Sequence, residues 1–509
     1  MHVLDHDNLS SQAAVHGHRS GTQKAAAPAT ATAVSEPYCV TSIQGKIFII
    51  SLTSIAMVIT MIATNIVLPV LPILQAEYGV TTTQMNLLVT VFSLVQGITP
   101  ALMSSLSDLQ GRRIASCAIP FGFAVAADIS SPAERGRYIG PLQGSVMGAF
   151  AFGPVIGALL EPSFGWRSIF RFLAISSGAA LLAYICIISE TARSVVGNGS
   201  IKPVGWWRRT VVQNMRRYLQ RRSDYKRSCT QQGRSAASHQ RRIGAAEVLR
   251  AFTILAKKNA LILVVFTSLF YSGVTAMWAT TGSYYGSLYG LDTLSVGFSF
   301  LPYGIAGCIG SIIGGRLLDI NYRRIQRHQE QAIKQADLHK PADADFPYEV
   351  ARLQVAAPFA LLASLSLITY GWVIQTRQSL AAALTLQALI GLSGTPLLRI
   401  IYTLLIDLYP AQAVATQGAA DLVRCWLGAL FAAVIDYMLE GMGWGWSFTL
   451  LGLNMAVVLP LVGLVYVRGP RWRLRKAMQM SENEDARSVN ERQFKGVGHS
   501  AVLEGLVVM

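Results

Sequence analysis

The chain has 509 residues, of which 52% are hydrophobic and only 14% charged, a balance too apolar for a soluble domain of this length. A net charge of +16 would suit a nucleic-acid partner, but the basic residues are gathered between long apolar stretches. That placement argues against a nucleic-acid-binding face and makes the lipid bilayer the expected partner.

Residues 1–45 are rich in Ala, Ser, Thr and His and lack the apolar core of a signal peptide, so they read as a disordered cytoplasmic tail. Four apolar stretches follow, at 47–68, 84–105, 139–160 and 169–188. Six more lie at 260–281, 296–317, 355–375, 380–402, 415–438 and 446–466. Each has roughly 20 residues, enough to cross ~30 Å of hydrocarbon as a helix. Residues 114–129 are apolar but too short, and they carry Pro120 and Gly122, so they read as a fragment of a span. The segment 191–258 holds sixteen Lys and Arg against two acids, Asp224 and Glu247. Further basic residues follow the sixth stretch (Arg316, Arg323, Arg324, Arg327) and the last one (Arg468, Arg471, Arg473, Arg475, Lys476). The alternate connections, 69–83, 281–295 and 440–445, hold almost none. This asymmetry places both termini and the 191–258 loop in the cytoplasm. The expected fold is therefore an all-α integral membrane protein with about ten full spans. It would consist of an N-terminal bundle (46–190), the basic loop, a C-terminal bundle (259–468) and a C-terminal tail (469–509) that reads as disordered after Ala477.

The chemistry of cofactors finds no support. Six cysteines form no CxxC pair, so neither a disulfide framework nor a zinc site is implied. Four of the eight His lie in the N-terminal tail, and none forms an H-x-x-x-H on a span. No phosphate-binding P-loop occurs, which leaves ATP-driven transport without a motif. The sequons at Asn8 and Asn198 fall on the cytoplasmic side and should be unused.

An internal repeat points to mechanism. After the second stretch the chain reads Ser104, Asp108, Gly111, Arg112, Arg113; after the sixth it reads Gly315, Asp319, Arg323, Arg324. In each copy a small residue lies four before the Asp, and an Arg pair lies four and five after it. The small residue would let two helices approach closely. The Asp would sit at a helix end, accepting hydrogen bonds from a neighbouring helix or pairing with an Arg. Such a contact can hold one conformation shut and release in another. Helix-end acids and Arg pairs are also ordinary topogenic features, but the repetition in both halves favours the functional reading.

At these residues the chain resembles the major facilitator superfamily, specifically the fungal drug:proton antiporters of the quinidine-resistance type, over about residues 45–470. Phe92 to Pro100, with Gln96 and Gly97, leads into a loop similar to the family's signature loop between spans two and three. Asp128 to Gly136 resembles the loop after span four. Gly148, Gly153, Pro154 and Gly157 resemble the antiporter motif of span five, which marks exporters. The resemblance implies a two-bundle transporter that exchanges protons for a small amphipathic organic molecule by alternating access. It implies no enzyme activity, a monomer, and the plasma membrane as the expected site. A relative dedicated to one metabolite or polyamine, and a non-transporting or truncated relative acting as a sensor or interaction protein, are the alternatives.

The departures are equally specific. Arg113 is followed within five residues by what resembles the end of span four, so span three and most of span four are missing. With them goes the Arg motif that the family links to proton coupling. Because an even number of crossings is absent, the orientation of the rest is kept. Ser104 and Leu109 replace a Gly and an Arg usual in the family, and Ala158 replaces a Gly. Losing two helices should weaken the first bundle and expose polar residues such as Gln96.

Four residues remain as cavity or proton candidates. Asp421 and Arg424 lie three apart inside a span, on one helix face, where pairing offsets the cost of burial. They either line the cavity or form a structural ion pair. Asn65 and Gln96 either face the cavity or bond helix to helix. Tyr271, Trp278, Tyr284, Tyr285 and Tyr289 read mainly as an interfacial aromatic belt, with substrate stacking as the other reading.

Overall fold

The computed structural model describes residues 42–110, 122, 125–126, 128–130, 135–188, 190–191, 196, 255–335, 346–409 and 413–507. Most of the N-terminal tail and of the basic loop, and Gly111, Arg112 and Arg113, therefore lie outside the described residues.

Helix α1, Ile43–Asn65, starts at Ser42, whose hydroxyl accepts from the Gly45 amide at 3.2 Å. A 3₁₀ turn, Leu68–Val70, and α2, Leu71–Tyr78, each carry a proline where a missing N–H costs nothing. Helix α3, Thr82–Gln110, opens on a reciprocal cap: the Thr81 hydroxyl accepts from the Gln84 amide, and the Gln84 side chain accepts from the Thr81 amide. Helices α4 (Arg135–Phe164) and α5 (Arg167–Ile187) complete the first half. The second half holds α6 (Lys258–Tyr289), α7 (Thr293–Phe298), α8 (Leu301–Gln335), α9 (Tyr348–Gln375), α10 (Leu380–Leu408) and α11 (Ala413–Val507). Asp292 caps α7, and hydrogen bonds from Ser295 hold its carboxyl below the ordinary carboxylate range. Helix α11 breaks at Gly443, where φ is 77° and ψ 171°, a conformation that only glycine adopts without strain. Its two limbs are separate helices in all but name. Among the described residues, eight segments are long and apolar enough to cross a bilayer, and the last of them contains the Gly443 break.

Two sequence expectations are corrected. Helix α8 continues to Gln335, so Asp319 lies inside a helix rather than at its end. The second limb of α11 stays helical to Val507, where a disordered tail was expected. Both extensions are polar but rich in Arg, Lys, Gln, Glu, Met and Ala, whose intrinsic helix propensity needs no buried face to continue a helix already begun.

The buried apolar residues form two cores, the larger of which also takes in Leu68, Leu71, Leu74 and Met85 of the first half. One joins α1 to α4 through Met57, Met61, Ile62, Leu142 and Val146. The larger one packs α6, α9, α10 and α11 around Phe266, Tyr285, Tyr370 and Phe448. Within it, Gln387 donates to the Thr281 hydroxyl at 3.0 Å and to the Tyr285 hydroxyl at 2.9 Å, and Tyr285 lies 3.0 Å from the Tyr370 hydroxyl. That node satisfies polar groups that would be costly alone in an apolar interior.

The halves meet along two seams. Helix α3 lies on the first limb of α11, where the Thr90 hydroxyl donates to the Ala429 carbonyl at 3.3 Å. Helix α4 lies against α7 and α8. A Cβ on Gly297 would lie 3.1 Å from the Pro154 carbonyl oxygen, and one on Gly304 would overlap Ala151. Near the charge-poor connections, a Cβ on Gly282 would meet the Leu68 carbonyl oxygen.

Candidate functional site: a cavity between the two halves

Where the seams part, a cavity of about 480 Å³ opens. One wall is aromatic. Trp278 packs edge-on to Tyr303 at 5.2 Å and to Tyr271 at 6.0 Å, and tilts against Phe150 at 5.1 Å. Thr64, Gln96 and Gln417 add polar groups, and three charged side chains complete the lining: Arg399, Asp421 and Arg424.

The charged groups are unequally satisfied. Arg424 Nη2 lies 3.0 Å from Asp421 Oδ1, as their three-residue spacing on α11 allows. The same oxygen accepts from the Tyr402 hydroxyl at 3.1 Å, and the Arg424 guanidinium lies 4.4 Å from the centre of the Tyr271 ring. Arg399, less than one turn before Tyr402 on α10, has buried Nε and Nη2 atoms with no hydrogen-bond partner among the described residues.

Of the four cavity candidates, Gln96, Asp421 and Arg424 line this space. Gln96 is half-buried and donates to the Thr64 hydroxyl at 3.1 Å, joining α3 to α1. Asn65 instead lines a side pocket of about 30 Å³, and its amide is spent on the Met61 carbonyl of its own helix at 3.2 Å. Gly153 and Gly157 do bring α4 against α1, since a Cβ on Gly157 would overlap the Ile66 carbonyl oxygen. Pro154 is buried at the seam with α7. Gly148, which belongs to the same sequence motif, faces open space.

The repeated motif looks different from its sequence reading. Asp108 lies in the last turn of α3, but its side chain is outside the described residues, as are Gly111, Arg112 and Arg113. Asp319, Arg323 and Arg324 are exposed. Gly315 has nothing within 4 Å, so it mediates no close approach. That contact belongs to Gly310 and Gly314, against Leu392 and Pro396 of α10. The aromatic series is also redistributed: Tyr271 and Trp278 line the cavity, Tyr285 is in the core, and Tyr284 is half-buried and bonds to a carboxylate.

That carboxylate, Asp436, was overlooked by the sequence reading. It is buried and accepts from Asn86 Nδ2 of α3 at 2.9 Å and from the Tyr284 hydroxyl at 3.1 Å. Arg399 and Tyr402 were missed as well. An ionisable residue inside an apolar stretch is the signal that flags both Arg399 and Asp436.

Two helical bundles enclosing a largely apolar pocket with a few charged and polar side chains form the architecture of a secondary transporter. Residues 114–328 match the model of the Major Facilitator Superfamily. The chain is 29% identical over 474 residues to the MFS-type transporter phiD of a fungal species, covering 86% of this chain and 70% of that one. It is 28% identical over 491 residues to the MFS antiporter QDR1 of Candida albicans, covering 89% and 94%. Its fold is similar to the human organic anion transporter MFSD10 (TETRAN), at a TM-score of 0.51 and 14% identity over 82% of this chain and 99% of that one. The chain is thus similar to transporters of the major facilitator superfamily, and it is an integral, multi-pass membrane protein.

Proposed function

We propose that the chain exports small amphipathic organic compounds in exchange for protons, by alternating access of its two halves to a shared cavity. The observation that carries this reading is the Asp421–Arg424 pair facing an aromatic wall in a cavity of about 480 Å³. Apolar walls with a few placed polar groups suit a drug-sized molecule. A compound would bind against the ionised Asp421–Arg424 pair and so exclude a proton from Asp421; protonating Asp421 would break the pair and release the compound. Proton and substrate would then compete for one arrangement, as exchange requires.

Taking the charge-poor end as the outer face, the closed contacts lie outside: Asp436 with Asn86 and Tyr284, and the seams at Gly282, Gly297 and Gly304. The cavity would load from the cytoplasm. Asp319, Arg323 and Arg324, exposed in this arrangement, would engage when the cytoplasmic end closes. The test is uptake of a panel of labelled amphipathic compounds into proteoliposomes under an imposed pH gradient, with a pH dye inside. Accumulation with proton movement in the opposite direction supports the reading; accumulation without proton movement removes the coupling.

A second reading has its own observation. Helix α3 is buried on α11, but Leu87, Leu88, Val91, Val95 and Ile98 form an exposed apolar ridge on its other side. Helix α5 likewise exposes Phe170, Ile175, Leu181, Leu182 and Ile185. Lipid would cover these faces, and so would the two spans whose absence the sequence implies. In this reading, the 509-residue form holds the cavity but cycles poorly.

A further inference from the structure

We infer that Arg399 is the recognition point for an anionic group, so that the compound carried is an amphipathic organic acid rather than a lipophilic cation. The inference rests on the export reading and adds to it the charge of the substrate. Two guanidiniums and one carboxylate line the cavity. Asp421 is already engaged, with Arg424 and the Tyr402 hydroxyl both on its Oδ1. Arg424 is further occupied by the face of Tyr271. Arg399 presents two adjacent buried N–H donors, on Nε and Nη2, without a partner among the described residues, whereas the one such atom of Arg424, its Nε, belongs to a guanidinium already paired with Asp421.

These two nitrogens define the fork that matches a carboxylate or a sulfonate with two parallel hydrogen bonds. Their helix is held in place nearby: the Thr395 hydroxyl, one turn before Arg399, donates to the Gly307 carbonyl of α8 at 2.8 Å. The donors are thus presented from a fixed backbone. The aromatic wall of Phe150, Trp278 and Tyr303 is exposed to the same cavity and would take a flat apolar body. A cation entering here would approach two guanidiniums, and the only carboxylate lining the cavity among the described residues is already paired. An acid would meet one unpaired positive group and neutralise the site.

Equilibrium binding to the purified full-length chain in nanodiscs tests this. The probes are radiolabelled 1-naphthoate and 1-naphthylmethylammonium, matched in ring and opposite in charge, with empty nanodiscs correcting for partition into lipid. Wild-type protein should bind naphthoate about tenfold or more tightly than the ammonium, as expected for a hydrogen-bonded charge pair. Arg399→Gln should abolish that preference, and Arg399→Lys should keep part of it, because the charge survives without the fork. Preference of wild type for the ammonium, or an unchanged preference in Arg399→Gln, overturns the inference and leaves the export reading standing. Binding of neither probe overturns both. Should Arg399→Gln fail to fold, the ratio in wild type and in Arg399→Lys decides the question alone.

Discussion

Asp421 and Arg424 each make the other's charge tolerable, because a single charge left inside a low-dielectric protein is worse than a pair. Asp421→Asn should therefore cost about 3 kcal/mol of stability, seen as a lowered thermal midpoint in detergent. Adding Arg424→Gln to that variant should recover much of the loss; a double mutant no better than the single would mean the two do not act as a pair. This pair was legible in the sequence, since a three-residue spacing puts two side chains on one helix face whatever the helix packs against. Asn65 was not, because helical periodicity does not say which face turns to the cavity and which to the neighbouring helix. Arg399 carried a readable signal, a charge inside an apolar stretch, but its lack of a partner depends on what α8 and α11 place around it. No sequence pattern gives that.

Glycines decide which helices touch, and not every glycine in a motif has that role. Gly157→Ala should destabilise the first half by about 1–3 kcal/mol, because its new methyl group would overlap the Ile66 carbonyl and force α1 and α4 apart. Gly148→Ala, nine residues earlier on α4, should cost nothing, since open space lies there. Equal losses in thermal midpoint for the two variants would refute this account of the Gly-Pro helix. Across the halves, Asn86→Ala would leave Oδ2 of the buried Asp436 without its donor, a cost of about 1–3 kcal/mol charged to the closed charge-poor end. The alkylation rate of Cys425, now covered by Gly97 of α3, should rise in that variant when the other cysteines are replaced. An unchanged rate would mean that this contact does not hold the seam. The helices themselves were legible as apolar stretches of spanning length. Their ends were not: α8 and α11 run on through polar sequence where hydropathy stops but helix propensity does not.

For the whole molecule, we propose that charge asymmetry sets the orientation, so Cys229 in the basic loop should resist an impermeant reagent applied outside intact cells. Labelling there would invert the topology and, with it, the assignment of the closed end to the outer face. The two-bundle plan was readable from the four-plus-six division of the stretches and from the repeated Asp/Arg motif. The cavity was not, because it is the gap that several helices, among them α1, α3, α4, α6, α8, α10 and α11, leave between them where they diverge, a property of packing rather than of any one segment. The exposed ridge on α3 and the proposal that two spans are missing from the first half then make one comparison decisive: proteoliposomes holding the 509-residue chain beside ones holding a chain with spans three and four restored after Arg113. Under an imposed proton gradient, the restored chain should accumulate an amphipathic compound while protons leave in exchange, and Asp421→Asn should uncouple the two flows; the shorter chain should bind the compound but move far less of it. Failure of the restored chain to accumulate any compound of the panel, at normal expression and folding, would contradict proton-coupled transport through this cavity.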